Sequence, residues 1–169
     1  MTENDGESEL VVEASRELDA PPAEAWRSWT DPVILRRWWG PTGFTCPTAE
    51  LDVRVGGTSL VSMSAPAFGF PEMFSTWEYT LVEEPRRLQF VFRFTDADGM
   101  PVEESGRPPG VPAEVAHTIT FDPLPGNRTR MTVREDGYTS AEPLEMSRQG
   151  LEQSLDKLTP LYVGGAAIA

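Results

Sequence analysis

Cysteine, histidine and positive charge are scarce in this 169-residue chain. The one cysteine, Cys46, excludes an internal disulfide. The one histidine, His117, would need Cys46 and carboxylates to complete a metal site, and no ligand spacing supports that, so no metal is expected. Fourteen Lys and Arg stand against 27 Asp and Glu, giving a net charge of −13 and a pI near 4.4. Such a chain lacks the basic face that nucleic-acid phosphates require, and it is repelled by anionic membrane surfaces. No apolar run is long enough for a signal peptide or a membrane span, so no membrane insertion and a cytoplasmic location are expected. Asn127-Arg128-Thr129 spells a glycosylation acceptor that is meaningless without secretion. Asp96-Ala97-Asp98-Gly99 resembles part of a calcium loop but lacks the glutamate at the twelfth position, where Ser105 stands. Nucleophile elbow, phosphate loop, zinc-protease helix and dinucleotide fingerprint are all missing, and no cofactor is expected.

What is present is turns and alternation. Sixteen prolines and fourteen glycines punctuate a length suited to one domain. That length buries roughly 70% of its extended surface. Met1 to Ser8 is polar and acidic and reads as disordered. A single domain spans 9–162, with a C-terminal tail at 163–169. Glu9 to Leu18 is the first strand. Ala23 to Trp29 is a short helix, and Asp31-Pro32 reads as N-cap and first position of a second, which runs to Trp38 and stops at Gly40-Pro41. Six strands follow: Phe44 to Val55, Thr58 to Ser64, Glu72 to Val82, Arg87 to Thr95, Ala113 to Phe121 and Arg128 to Glu135. Their inward positions recur at every second residue, as at Trp77, Tyr79 and Leu81, or Leu88, Phe90 and Phe92. Val91 and Arg93 then face outward. Glu142 to Tyr162 closes the chain as a long helix with Leu144, Leu151, Leu155, Leu158 and Tyr162 on one stripe and Met146 beside it. Thr139 or Ser140 can cap it, and Pro160 ends or kinks it near Thr159.

Short turns between strands give an antiparallel sheet. Seven strands at about 4.8 Å each make a sheet about 34 Å wide. One helix covers only about 10–12 Å of that, so the sheet must curl to hide its apolar face. Curling leaves a space under the helix unless large side chains fill it.

Several stretches resemble a known family: Trp38-Trp39-Gly40-Pro41-x-Gly43-Phe44, Asp52-x-Arg54-x-Gly56-Gly57, Pro85-x-x-Leu88-x-Phe90, Thr118-x-Thr120-Phe121 and Gly150-Leu151-x-x-Ser154-Leu155-x-x-Leu158. Over roughly Leu10 to Tyr162 the chain resembles the AHSA-type branch of the SRPBCC superfamily, single-domain relatives of the heat-shock-protein ATPase activators. The resemblance implies an α+β helix-grip fold like that of START domains and the birch-pollen allergen. There a curved seven-stranded antiparallel sheet wraps a long C-terminal helix, two short helices follow strand 1, and a hydrophobic cavity lies between helix and sheet. The superfamily includes lipid carriers, cyclases and chaperone activators, so fold does not settle function. Two departures stand out: Leu151 where relatives usually carry tryptophan, and His117 where an aliphatic residue is usual.

The cavity so implied would be lined by Met63, Trp77, Tyr79, Phe90 and Phe92 of the sheet. His117 and Met131 would join them, with Leu151 and Leu155 from the helix and Trp38 clamping a ligand at the edge. The expected function is binding of an apolar or aromatic small molecule, without catalytic residues. Two alternatives are an enzyme of the cyclase or dehydratase kind using His117 and Tyr79 as acid and base, and a chaperone-ATPase cofactor. A homodimer is left open. For any one aromatic or methionine, plain core packing competes with ligand contact. For His117 the competitor is a hydrogen-bonded core histidine, and for Trp38 and Trp39 it is anchoring of the second helix.

Overall fold

Two-residue alternation builds the sheet. The computed structural model describes residues 10–168; the segment expected to be disordered, 1–8, lies outside them. Strands β1 (Val11–Leu18), β2 (Ala49–Glu50), β3 (Thr58–Ala65), β4 (Phe70–Glu83), β5 (Arg87–Thr95), β6 (Val115–Leu124) and β7 (Arg128–Asp136) form one antiparallel sheet in the order β1-β7-β6-β5-β4-β3-β2. Helices α1 (Pro22–Thr30) and α2 (Pro32–Trp38) follow β1, and α3 (Ala141–Leu158) follows β7. The expected order of one strand, two short helices, six strands and a long helix is what the chain adopts.

The inward face is continuous across neighbouring strands. Val12, Ala14 and Leu18 of β1, Leu88 and Phe90 of β5, Val115, Ile119 and Phe121 of β6, and Met131 and Val133 of β7 are buried. Arg93 lies on the opposite face of β5, where its guanidinium bridges Glu78 at 2.9 Å and Glu114 at 2.8 Å. A bulge in β4 between Tyr79 and Leu81 shifts the phase. Val82, not Leu81, therefore packs against the core, which corrects the expected alternation.

The segment Phe44 to Val55 is not the long strand that its pattern suggests. Only Ala49–Glu50 pairs, with Val61 and Leu60, and Thr45 makes one bridge to Ser64. Pro47 has no N–H to give to a ladder. Beyond Glu50 the chain turns on itself: Arg54 N donates to Asp52 O (3.1 Å) and Gly57 N to Arg54 O (2.7 Å). A Cβ on Gly57 would sit 2.4 Å from Asp52 O, so only glycine fits this turn.

The helical corner is an aromatic plug. Asp31 accepts from Val33 N at 2.9 Å, the cap expected for α2. Trp29 and Trp38, both fully buried, meet edge to face at 4.9 Å. Trp29 reaches Trp77 (5.9 Å) and Phe90 (6.2 Å), which stack on each other at 4.5 Å.

Leu151, Leu155 and Leu158 of α3 are buried, while Met146 is exposed. Arg16, on β1, reaches Glu152 at 2.7 Å and Asp156 at 3.0 Å and ties the helix to the sheet edge. Ser140 occupies the N-cap position but its side chain makes no capping bond. The helix stops at Leu158, and Thr159–Leu161 forms a 3₁₀ turn containing Pro160. From there the chain expected as a tail pairs β8 (Tyr162–Val163) with β9 (Ala166–Ala167). Gly164 N and Gly165 N bond Asp19 at 2.9 Å each.

Candidate functional site

The sheet and α3 part company toward the N-terminal half of the helix, and a cavity of about 440 Å³ opens there. Its sheet wall is Phe92 and Phe94 of β5, Val115 and His117 of β6, and Glu135 of β7. Its helix wall is Pro143, Ser147, Gly150, Leu151 and Ser154. Trp39, Gly40 and Pro41 close one side together with Met63, and Pro108, Pro109 and Val111 of the β5–β6 loop close another. The exposed Glu142 and Met146 belong to its rim.

Of the residues expected to line such a space, Met63, Phe92, His117 and Leu151 do so. Trp38, Trp77, Tyr79, Phe90, Met131 and Leu155 do not; each is at most 1% exposed and belongs to the packed core. The cause is the plug from α1 and α2, which fills the region where sequence alone suggested a void. Trp38 donates from Nε1 to Ser28 O at 3.0 Å and so anchors its helix, whereas its half-buried neighbour Trp39 is the tryptophan at the cavity. Tyr79 shares a hydrogen bond with Ser59 Oγ at 2.8 Å, and burial pushes its phenol up to about 12. Phe90 packs against both Tyr79 and His117, so those two rings do not converge on one ligand.

His117 converges instead on residues that sequence reasoning did not single out. It stands directly opposite Glu135 in the β6–β7 register. Its Nε2 lies 3.3 Å from Glu135 Oε2, and both residues are more than 90% buried. Its Nδ1 lies 3.2 Å from Val115 O. A carbonyl can only accept, so Nδ1 carries the ring proton and donates it to Val115 O. Tyr138 donates its hydroxyl to the other carboxylate oxygen, Oε1, at 3.1 Å. Burial and the Glu135 charge hold the Tyr138 phenol well above the ordinary phenol range despite an opposing hydrogen bond from Ser147. Tyr138 is therefore a donor at any ordinary pH. The imidazole is stacked against Phe90 at 4.9 Å and Phe92 at 5.4 Å.

Glu135 was visible in the pattern: Thr129, Met131 and Val133 alternate inward and Glu135 is the next step. From pattern alone, a carboxylate at a strand end reads as surface. Tyr138 gave no such signal. Gly137 turns the chain at φ +126, and a Cβ there would meet Glu114 O at 2.9 Å. That turn brings Tyr138 back over the sheet, and only the tertiary structure shows it.

Among the described residues no group of three or more His, Cys, Asp or Glu side chains is arranged to hold a metal. No described helix is long and apolar enough to cross a membrane.

Comparison with known proteins agrees with this architecture. A solved structure from Chromobacterium violaceum is 30% identical, covers 89% of this chain and 95% of its own, and superposes with a TM-score of 0.73. One from Mycobacterium smegmatis is 26% identical over 93% of both chains, with a TM-score of 0.75. The AHSA1 protein from Silicibacter pomeroyi, at 20% identity, shares the fold with a TM-score of 0.71 over 89% of this chain and 95% of its own. No match was found among the curated proteins. The family model for the activator of Hsp90 ATPase homolog 1-like proteins matches residues 19–162. With its curved sheet, gripped helix and helical corner, the chain belongs to that family.

Proposed function

We propose that this protein binds an apolar or aromatic small molecule in the cavity beside α3. The observation that carries the reading is the cavity itself: about 440 Å³, walled by Phe92, Phe94, Val115 and Leu151, with a polar cluster at one place on its wall. A space of that size with a mainly apolar lining and a few fixed polar groups is the usual build of a small-molecule site. The test is titration with an apolar naphthalene-based fluorophore. Its emission is expected to rise in the presence of native protein and to fall back when Leu151→Trp fills the space. Larger ligands are expected to be lost first in that variant. Emission no different from that in buffer overturns the reading.

One observation favours a second reading. His117, Glu135 and Tyr138 form a connected set of ionisable side chains beside an apolar space, the equipment of an acid–base enzyme. Cyclase or dehydratase chemistry would run on this set and not on Tyr79. Recovery of a bound ligand unchanged after prolonged incubation supports binding alone, and its conversion supports the enzyme. A chaperone-cofactor role rests on the family's name, whereas the cavity is a property of this chain.

A further inference from the structure

The charged hydrogen-bonding capacity left over in the cavity is one-sided. Within the cluster both donors are committed: His117 Nδ1 to Val115 O and the Tyr138 hydroxyl to Glu135 Oε1. What remains is acceptor capacity. A carboxylate offers about four lone-pair sites, and the cluster's one hydrogen bond to Glu135 uses one of them, on Oε1. The surrounding wall adds no cation. Among the described residues neither lysine nor arginine lines the cavity. Four lining residues are prolines, Pro41, Pro108, Pro109 and Pro143, which have carbonyls but no N–H. The indole of Trp39 and the hydroxyls of Ser147 and Ser154 carry the neutral donors of the other lining side chains; Ser147 spends its own on Tyr138, and Ser154 on Gly150 O at 2.9 Å. The N-terminus of α3 is close by, but its first turn carries the carboxylate of Glu142 on the cavity rim. Aromatic rings at Trp39, Phe92 and Phe94 complete a lining that suits a cation and offers an anion neither lysine nor arginine to pair with.

We infer that the cavity takes an apolar molecule ending in a hydrogen-bond donor, an organic amine above an alcohol, and that it rejects the corresponding carboxylate. Glu135 receives the donor. An ammonium group would meet a buried carboxylate, aromatic faces and the field of a chain with net charge −13. A carboxylate in the same place would be desolvated next to Glu135 with neither lysine nor arginine on the wall to pair with it. The inference rests on the ligand-binding reading above and adds the chemical class of the ligand.

The experiment is calorimetric titration of wild-type protein near neutral pH with naphthylmethylamine, naphthylmethanol and naphthylacetate, three ligands of similar apolar body and different head group. The expected order is amine, alcohol, carboxylate, with the amine at least about tenfold tighter than the carboxylate, the size of one charge-assisted hydrogen bond. Glu135→Gln is expected to reduce the amine preference to about threefold or less while the alcohol still binds. The ranking is measured on wild-type protein, so a variant that fails to fold leaves the test standing. Carboxylate binding equal to or tighter than amine binding overturns the inference. So does binding of the fluorophore with none of the three compounds, and in both cases the cavity reading survives. Failure of the fluorophore and all three compounds together removes the cavity reading itself.

Discussion

Replacing His117 and Glu135 together is expected to cost less than the two single replacements added. The pair is buried, with side chains 5% and 9% exposed and a contact of 3.3 Å. In His117→Phe the new ring keeps the stacked position between Phe90 and Phe92, and Glu135 is left with the Tyr138 hydroxyl alone. Loss of a polar partner by a buried carboxylate costs about 1–3 kcal/mol. In Glu135→Leu, His117 Nε2 loses its polar neighbour and the Tyr138 hydroxyl its acceptor, at about 1–3 kcal/mol for each buried group left unsatisfied. The double variant removes the orphaned imidazole and the orphaned carboxylate, and substituting both members of a buried pair by apolar groups is often neutral or stabilising. Only the unpaired Tyr138 hydroxyl remains, a loss shared with Glu135→Leu. The double variant should therefore be at least about 1.5 kcal/mol more stable than the sum of the singles implies. Urea melts of the four proteins by circular dichroism give the coupling. Additivity within about 0.5 kcal/mol refutes the claim that these side chains act as one buried unit. A double variant near wild-type stability would mean that the polar cluster is retained for the cavity's chemistry and not for folding.

Leu155→Ala, at a fully buried position of α3, is expected to destabilise by about 2–5 kcal/mol, and Met146→Ala on the exposed rim by less than about 0.5 kcal/mol, both read from denaturant melts. Asp31 gives a pH signature. Burial raises its pKa, but the Arg27 hydrogen bond and the Val33 N–H outweigh that, and the carboxyl is held below its ordinary value of 3.8. A depressed carboxylate stabilises the fold fully above the unfolded value, and that stability is lost as pH falls through the folded value. The gap in urea midpoint between wild type and Asp31→Asn should thus be constant near neutrality and close below pH 3.8. Cys46 is buried, and desolvation pushes its thiol up to about 11, so alkylation at mildly alkaline pH should be slow in native protein and fast once urea unfolds it.

The family, the order of the seven sheet strands and three helices, and most of the strand faces were legible in the amino-acid sequence. They rest on local rules: a two-residue period in strands, a three-to-four-residue period in α3, and proline and glycine punctuation. Those rules put His117 on an inward face and, followed one step further along β7, put Glu135 opposite it. They failed where one residue breaks the count, as at the β4 bulge that moves Leu81 out of phase, and where a turn replaces a ladder, as from Asp52 to Gly57.

Which large inward side chains would border empty space was a different kind of question. Trp77, Tyr79, Phe90 and Met131 have the right period, yet they are sealed because Trp29 and Trp38 arrive from helices more than 30 residues earlier than any of them. Tyr138 reaches Glu135 only through the turn at Gly137. Periodicity states which face a side chain leaves from. Whether that side chain meets a neighbour or a void depends on volumes brought together from distant parts of the chain, and close packing decides it only in three dimensions.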